Sequence, residues 1–489
     1  MSITKIHLLR QFAMVTLVFF VYIIIRYIYL INTNIDPDEL FSIELANAPF
    51  QGIWGAAAAD VSHPPLFYYF LKSWQLVGGV SLDWTRLLPL VMTTLALPAI
   101  WKTSRLCGLS PYASCGVILF IAGNTFLIGY TIYLRSFVAL FLTSSYQFWS
   151  LFRILKIENP SWLDWFLLLV TSCAVVYSHY WGWLLLLSEL GVVAALTRSR
   201  CGRVVVVGVL TGIAYAPWIL SVLAAVQSRG GDGTSQIGWI EKPGAKSVVA
   251  FFVLLNGAPP IRYLGLVGLT VATGVITTAL VRSTRGLAAR PQHLIAIGWI
   301  LVVVIQPIVT FIASVTQSQS VWAIRSMISV VVPYAVLLFC SINLLPTGPP
   351  VRAGIAVVAA CWGLGCGLAT VSGPPVKVNY RGITHAIRSK EQPAASPIVV
   401  YTQPFHVGVL SFLGNLEEER ALDVRTSTTM TGLPREHIWV VLSSYQWTGP
   451  PIEEQLINQG FVIEYSFSVA TRGETMWAFS VRPHESSQR

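Results

Sequence analysis

Eleven apolar runs of 16 to 23 residues recur along the chain, and they limit its fold more than any other feature. They span residues 12–31, 86–101, 112–130, 136–152, 162–178, 181–197, 204–226, 261–281, 293–312, 326–345 and 352–371. A helix needs about 20 predominantly apolar residues to cross a bilayer. Only 11% of the 489 residues are charged, whereas soluble proteins carry roughly 25%. The sequence therefore predicts a polytopic α-helical membrane protein. It excludes a soluble enzyme, a disordered chain and a disulfide-stapled secreted domain.

The positions of lysine and arginine indicate how the runs are oriented. With a cytoplasmic N-terminus and alternating runs, every inner loop contains at least one basic residue and the outer loops contain fewer. This asymmetry is the positive-inside rule. We expect about eleven transmembrane helices in a bacterial cytoplasmic (inner) membrane, with the C-terminus outside. The first run continues through Arg26 without a small-residue cleavage site, so we expect a retained span and not a signal peptide.

The first outer loop in this topology covers residues 32–85. Within it, residues 63–77 are apolar but short, and they contain Lys72. Counting them as a span would reverse the charge asymmetry of all the loops that follow. We therefore expect a helix that lies at the outer interface, and a second such helix at residues 247–256.

Residues 376–489 differ in composition from the rest of the chain. They hold 10 Lys and Arg against 11 Asp and Glu, whereas residues 1–375 hold 22 against 11. Apolar patterns predict strands at 397–401, 438–443, 461–466 and 476–481, and helices at 381–389, 403–413 and 452–459. We therefore divide the chain into a transmembrane domain, residues 1–375, and a small extracytoplasmic α/β domain, residues 376–489. No exposed domain is strongly basic, so the net charge of +10 does not indicate nucleic-acid binding. The seven cysteines all fall in predicted spans or at their cytoplasmic edges, so we expect no structural disulfide.

Three acids stand together soon after the first span: Asp36, Asp38 and Glu39. Carboxylates so close to each other and to an apolar boundary are suited to general-base work, because repulsion and desolvation favour the protonated form. The same residues also read as a helix start, with Asp36 as N-cap and acids in the first turn. Both interpretations can hold, since a helix start would orient the acids.

Polar side chains also mark the outer ends of other predicted spans. His63 precedes the interfacial helix, Arg135 lies between the third and fourth spans, His179-Tyr180 lies between the fifth and sixth, and Arg325 precedes the tenth. Alone, each histidine reads as structural and each arginine as a snorkelling side chain. Together they place two histidines and two arginines on the same face as the acids. This arrangement suits an anionic lipid-linked substrate, whose phosphate a guanidinium fork can hold.

The order of these motifs resembles that of the GT-C membrane glycosyltransferases. The branch it resembles contains protein O-mannosyltransferases, aminoarabinose transferases and rhizobial lipopolysaccharide sugar transferases. The residues that carry the resemblance are, in chain order, Asp38-Glu39, His63-Pro64-Pro65-Leu66, Leu134-Arg135-Ser136-Phe137, His179-Tyr180 and Arg325.

The resemblance implies a GT-C fold and an inverting transfer of sugar from a polyprenyl-phosphate donor to a hydroxyl acceptor on the extracytoplasmic face. The acceptor is a glycolipid, a polysaccharide or a protein. It makes Asp38 the candidate general base, with Glu39 supporting it or binding a cation. It places Arg135 and Arg325 on the donor phosphate and His63 at the donor head group. We include His179, Tyr180 and Lys72 in the candidate donor-binding set.

One departure from the family pattern bears on metal dependence. Many relatives carry an acid two positions before the arginine, where this chain has Tyr133. That acid often belongs to the metal or acceptor site. No cofactor is therefore certain, and a divalent cation, if one binds, falls to Asp38 and Glu39.

Two other functions remain open on the sequence. A transporter or flippase of lipid-linked sugars would share the apolar groove and the basic residues, but it would more naturally place ionisable groups near the middle of the membrane. A catalytically inactive assembly subunit would be compatible with the substitution at Tyr133. The crowding of acids in one outer loop favours chemistry over passage.

Overall fold

The computed structural model divides the chain into two compact units. The first comprises residues 1–29 and 42–372, and the second comprises residues 30–41 and 373–489. The structure describes residues 3–228, 240–257, 262–285, 291–373, 380–390, 399–402, 418–421, 423–426, 429–431, 433, 437–443, 451–471 and 474–484. Unlike the predicted division at residue 375, the second unit also takes in the segment that follows the first helix.

The first unit is helical, and a helix or a pair of helices coincides with each of the eleven apolar runs. Its helices are α1 (Ile3–Ile31), α2 (Pro37–Ala46, which begins in the second unit), α3 (Ile53–Asp60), α4 (Leu66–Gly78), α5 (Leu82–Thr85), α6 (Leu87–Leu106), α7 (Pro111–Ala122), α8 (Thr125–Thr131), α9 (Ser136–Lys156), α10 (Trp162–Ser178), α11 (Trp181–Leu196), α12 (Cys201–Ser228), α13 (Ala245–Leu255), α14 (Arg262–Arg285), α15 (Pro291–Thr316), α16 (Val331–Asn343) and α17 (Pro349–Val371). Short 3₁₀ turns cover Phe50–Gly52, Arg198–Arg200 and Ile324–Val330.

These helices make the chain a multi-pass membrane protein. In the part of the chain that the structure describes, six helices are each long and apolar enough to cross a bilayer, and the bent pair α7 and α8 makes a seventh candidate. Others, such as α10 and α11, are apolar but shorter. The predicted interfacial segments form helices, α4 and α13, and their place at the membrane surface stays a prediction. The loop at residues 32–85 also contains α2, α3 and α5, of which the sequence indicated only the start of α2.

The third apolar run is broken instead of continuous. Helices α7 and α8 meet at an angle of 66°, and the break falls at Gly123 and Asn124. The Asn124 side chain accepts the Leu127 N–H at the start of α8 and donates to the Leu255 carbonyl at the end of α13. A side chain at Gly123 would collide with the backbone of Gly363 on α17. The break therefore sits where two neighbouring helices come close.

Arg26 of α1 binds the C-terminal end of α7, where the run is broken. Its guanidinium is fully buried and donates to the carbonyl oxygens of Ala122 and Ile121, at 2.9 and 3.2 Å, and to the Thr131 hydroxyl at 3.1 Å. The last carbonyls of a helix lack partners within it and carry partial negative charge. A buried cation at this position therefore satisfies these carbonyls and offsets the charge of the helix end.

The second unit contains a five-stranded mixed sheet. Its strands are β1 (Val399–Thr402), β2 (Glu418–Ala421), β5 (Ile438–Ser443), β6 (Phe461–Thr471) and β7 (Glu474–Pro483), in the order β2-β1-β5-β7-β6, and β3 (Asp423–Thr426) pairs separately with β4 (Thr429–Thr431). Strands β1, β2 and β5 are parallel, and β5, β7 and β6 are antiparallel. Helices α18 (Tyr380–Lys390) and α19 (Ile452–Asn458) accompany the sheet.

A core of apolar residues from β5, α19, β6 and β7 holds this unit together. The predicted small α/β domain and four of its strands are confirmed. Strands β2 to β4 were not predicted, and the helix predicted at 403–413 lies outside the described residues. All seven cysteines of the chain are free thiols.

Candidate functional site

The acidic segment after α1 is a capped helix start. Asp36 precedes α2, and its side chain accepts the backbone N–H of Asp38 at 3.0 Å. The Glu39 side chain reaches back to accept the Asp36 N–H at 3.1 Å. We call this reciprocal pair a capping box, although the Asp36 side chain accepts the N–H of the second helical residue and not of the third. It satisfies backbone donors that the helix itself leaves unpaired. The structural interpretation of Asp36 and Glu39 is therefore correct.

The capping box separates the roles of the three acids. Carboxylate oxygens of Asp36 and Glu39 accept hydrogen bonds from backbone N–H groups, and Glu39 is fully buried. Asp38 takes no part in the box and is partly exposed. Of the three, Asp38 is thus the acid outside the capping box.

A second group of candidate residues comes together in the first unit. It comprises His63, Arg135, Phe137, His179 and Arg325, and we call it the histidine–arginine cluster. The Arg135 guanidinium donates to Nε2 of His63 at 3.2 Å. The rings of His63 and His179 lie 5.0 Å apart between centroids. Residues from three separate predicted outer loops are therefore in contact.

Phe137 lies at the centre of this cluster. Its ring centroid is 5.9 Å from that of His63 and 5.5 Å from that of His179. The Arg325 guanidinium carbon lies 5.6 Å from the same centroid, within the range of a cation–π contact. The sequence analysis named Phe137 only as the last residue of the Leu134-Arg135-Ser136-Phe137 motif. Nothing in the local pattern showed that one ring would contact both histidines and an arginine.

Local backbone geometry holds His63 in this position. Val61 has a φ of 66°, the left-handed region that β-branched residues rarely adopt. The Tyr180 hydroxyl donates to the Val61 carbonyl at 2.8 Å. Strained backbone of this kind persists when the surroundings enforce it, and it concentrates at functional sites. Tyr180 is therefore placed as a support for the His63 loop, and not as part of the cluster itself.

The hydrogen bonds fix which ring nitrogen of each histidine carries the proton. An arginine has only donors, so Nε2 of His63 accepts and the proton is on Nδ1. The Trp181 backbone N–H donates to Nδ1 of His179 at 3.2 Å, so the proton of that ring is on Nε2. Both protonated nitrogens, His63 Nδ1 and His179 Nε2, are buried and have no hydrogen-bond partner among the described residues. Buried donors of this kind cost free energy unless a ligand pairs with them.

Both histidines are neutral at physiological pH. Burial lowers the pKa of His63 well below its usual range, and the positive charge of Arg135 adds to this effect. Burial, followed by Arg325 and Arg135, lowers the pKa of His179 to about 3. Each ring therefore presents one N–H donor without a charge, beside two guanidinium groups. Such a set of donors and cations is suited to an anion and not to a metal ion.

The remaining candidate residues, Lys72 and Tyr133, are not members of the histidine–arginine cluster. Lys72 is on α4, partly buried, and forms no hydrogen bond or ion pair within the described part of the chain. Tyr133 is buried, and its carbonyl oxygen accepts the Arg135 N–H at 2.7 Å. The described residues contain no group of three or more His, Cys, Asp or Glu side chains that could hold a metal ion.

Comparisons with known proteins identify the fold. The chain matches the crystal structure of ArnT from Cupriavidus metallidurans in the apo state, with a TM-score of 0.56, 12% identity and 98% of each chain covered. It matches the same protein bound to undecaprenyl phosphate with a TM-score of 0.53 and 13% identity, again over 98% of each chain. The oligosaccharyltransferase of Archaeoglobus fulgidus, in complex with zinc and sulfate, matches with a TM-score of 0.51 and 12% identity, over 96% of this chain and 73% of that one.

These structures confirm the predicted GT-C membrane fold. No protein-family model matches the chain, and no curated protein matches it either. At 12–13% identity the likeness establishes the architecture, and the chemistry has to be argued from this chain's own residues.

Proposed function

We propose that the chain is a glycosyltransferase that uses a polyprenyl-phosphate-linked sugar as donor. One observation carries the proposal. Two buried, neutral histidine N–H donors, which have no hydrogen-bond partner among the described residues, lie beside two arginines in one cluster. The fold supports it, because ArnT, which has this fold, binds undecaprenyl phosphate.

The cluster suits the phosphate of the donor. When the bond between sugar and phosphate breaks, negative charge accumulates on the phosphate. Donors and cations that are already in place stabilise that charge without having to reorganise. Arg135 and Arg325 supply the charge, and His63 and His179 supply N–H donors that no described residue engages. Neutral histidines bind the anion as donors and do not exchange protons with it.

Asp38 is the proposed general base. In the resembled family the loop acid takes the proton from the acceptor hydroxyl, which then attacks the anomeric carbon with inversion. The capping box supports the choice of Asp38, since Asp36 and Glu39 already bind backbone donors. Glu39 then acts by fixing the helix start that presents Asp38. A divalent cation at Asp38 and Glu39 stays a prediction, as does the orientation with the acids on the extracytoplasmic face.

The decisive experiment is sugar transfer by the purified chain in nanodiscs. A panel of polyprenyl-phosphate sugars and a crude envelope fraction supply donor and acceptor, with and without chelator. Asp38→Asn is compared with wild type and with Asp83→Asn, an exposed acid of the same outer loop. Transfer that is lost in Asp38→Asn alone, with donor binding intact, supports the enzyme. Donor binding without transfer in the wild type would instead favour a flippase or an assembly subunit, and equal transfer in all three proteins would remove Asp38 as the base.

A further inference from the structure

A line of polar contacts runs along the interface between α9 and α10, inside the helical bundle. Three pairs of side chains form it, Ser150 with Thr171 at 2.9 Å, Gln147 with Ser172 at 3.1 Å, and Thr143 with Ser178 at 3.2 Å. All six residues are buried. Polar contacts of this kind hold membrane helices together, because lipid offers polar groups no other partner.

Glu189 of α11 adds a carboxyl group to the middle of this line. It is fully buried, and its polar neighbour is the side chain of Gln147 on α9. Neither carboxyl oxygen has a hydrogen-bond partner at normal distance, and the described residues provide no ion pair for it. Glu189 lies eight residues after Trp181 on α11, which corresponds to about 12 Å of helix rise. Trp181 stands at the end of α11 that adjoins His179 of the histidine–arginine cluster.

Several charged and titratable groups on the neighbouring helices contact other residues. Arg153 of α9 pairs with Asp164 of α10, and Arg203 of α12 lies over the Trp165 ring. The Tyr177 hydroxyl of α10 donates to the Ala214 carbonyl, and Cys173 lies near Thr211. Arg325, at the turn before α16, lies over Phe137. The one titratable residue of α15 is His293, whose side chain is outside the described ones.

An ionised carboxylate is strongly disfavoured in such surroundings. It would be shielded from bulk water, and the described side chains provide no cation to compensate its charge. A carboxyl group in this position therefore binds a positive ion. A proton is the smallest such ion, and binding it requires the least rearrangement of the surrounding side chains. A bound proton turns one carboxyl oxygen into a donor, and the neighbouring Gln147 amide has an oxygen that can accept it.

The geometry points to a proton-binding site inside the bundle, formed by the buried Glu189 of α11 beside Gln147 of α9. The carboxyl group of Glu189 is a neutral acid at neutral pH. The site is separate from the histidine–arginine cluster, and it does not depend on the proposed transfer reaction.

Labelling with the apolar reagent dicyclohexylcarbodiimide tests the site. The acid's proton passes to a nitrogen of the carbodiimide while the carboxylate oxygen bonds to its central carbon, so ionised carboxylates do not react. The adduct is located by mass spectrometry on the full chain in nanodiscs. We expect modification of Glu189, several-fold less at alkaline than at mildly acidic pH, and none at the exposed Glu158. Glu189→Gln is the matched control, and it should remove the adduct.

A second measurement covers the case in which the reagent does not enter the bundle. Infrared spectra of wild type and Glu189→Gln should differ by the carbonyl band of a protonated carboxylic acid, and that band should shift in heavy water. Glu189→Gln should also keep the thermal stability of the wild type, because an amide replaces a neutral acid of equal shape.

Three results would overturn the site. The first is the absence of both the adduct and the infrared band at neutral pH. The second is protection from labelling by sodium chloride but not by choline chloride at constant pH, which would make the bound ion sodium. The third is a marked loss of stability in Glu189→Gln, which would show that the native group is an ionised carboxylate.

Discussion

The Arg135 guanidinium donates to Nε2 of His63 at 3.2 Å, although 72 residues of chain separate them. The bond joins the loop before α4 to the loop before α9, and it directs the remaining N–H of the imidazole away from the arginine. The two residues therefore form one unit in the proposed donor site, and changing either affects the other.

Replacing Arg135 or Arg325 should weaken donor binding. A hydrogen bond to a charged group contributes about 1.5–3 kcal/mol, so Arg135→Gln is expected to reduce donor affinity by roughly tenfold or more. Binding of undecaprenyl phosphate to the purified variants measures this. Arg352→Gln, which removes a cation bonded to the Asn343 carbonyl, is the control and should bind normally.

The combination of Arg135→Gln with His63→Gln should reduce the free energy of donor binding by less than the sum of the two single losses, because the two residues share a hydrogen bond. Additive losses would show that the two residues act independently.

Asp38→Asn should reduce sugar transfer while leaving donor binding unchanged. A positioned general base contributes about 10²–10⁴-fold to rate, so turnover should fall by a factor in that range. Glu39→Gln should act differently. It weakens the capping box, which costs about 1 kcal/mol of stability, and it should lower turnover less than Asp38→Asn does. Turnover with saturating donor and thermal unfolding separate the two effects, and the reverse order of turnover losses would make Glu39 the base.

The buried histidines should make the protein less stable in acid. In the unfolded chain a histidine titrates near about 6.5, whereas the folded pKa of His179 is lowered to about 3. Between these values the unfolded chain binds a proton that the folded chain cannot. The free energy of unfolding therefore falls as the pH is lowered through this window, by up to about 1.4 kcal/mol per pH unit for each such histidine.

Denaturation in detergent at several pH values measures this slope. His179→Gln should flatten it by the contribution of one histidine. An equal slope in wild type and His179→Gln would mean that His179 is not buried as a neutral group.

Arg26 should be required for the broken span. Arg26→Met leaves the Ile121 and Ala122 carbonyls without their charged donor, and the same arginine also lies 3.5 Å from the centroid of the Tyr22 ring. Because hydrogen bonds to a charged group contribute about 1.5–3 kcal/mol, we expect a loss of at least that size in thermal unfolding. Arg26→Lys keeps the charge but not the forked geometry, so it should be intermediate. Wild-type stability in Arg26→Met would show that water or another group satisfies the carbonyls.

Much of the fold could be predicted from the sequence because the relevant signals are local. Hydropathy over about 20 residues locates a span, and no distant residue alters that sum. The helix start at Asp36 was equally local, because a capping box needs only four consecutive residues. Strands β2 to β4 were missed because they are only three or four residues long. Strands β2 and β3 are also rich in charge, and β2 exists through its pairing with β1. The run at residues 112–130 reads as one span, and only contacts from other helices explain its break.

For the candidate site, the sequence determined the residue types and the end of the span at which each one stands. It showed that His63, Arg135, His179 and Arg325 follow or precede apolar runs, and the charge rule assigned them to one face. Tertiary structure alone decided that His63 accepts from Arg135 and that Phe137 lies between both histidines and Arg325. It also decided that Glu189 is buried with neither carboxyl oxygen hydrogen-bonded among the described residues. The physical reason is that hydropathy and loop charge are properties of neighbouring residues along the chain. The pairing of a buried polar group depends instead on which side chains the packed helices bring within hydrogen-bond distance.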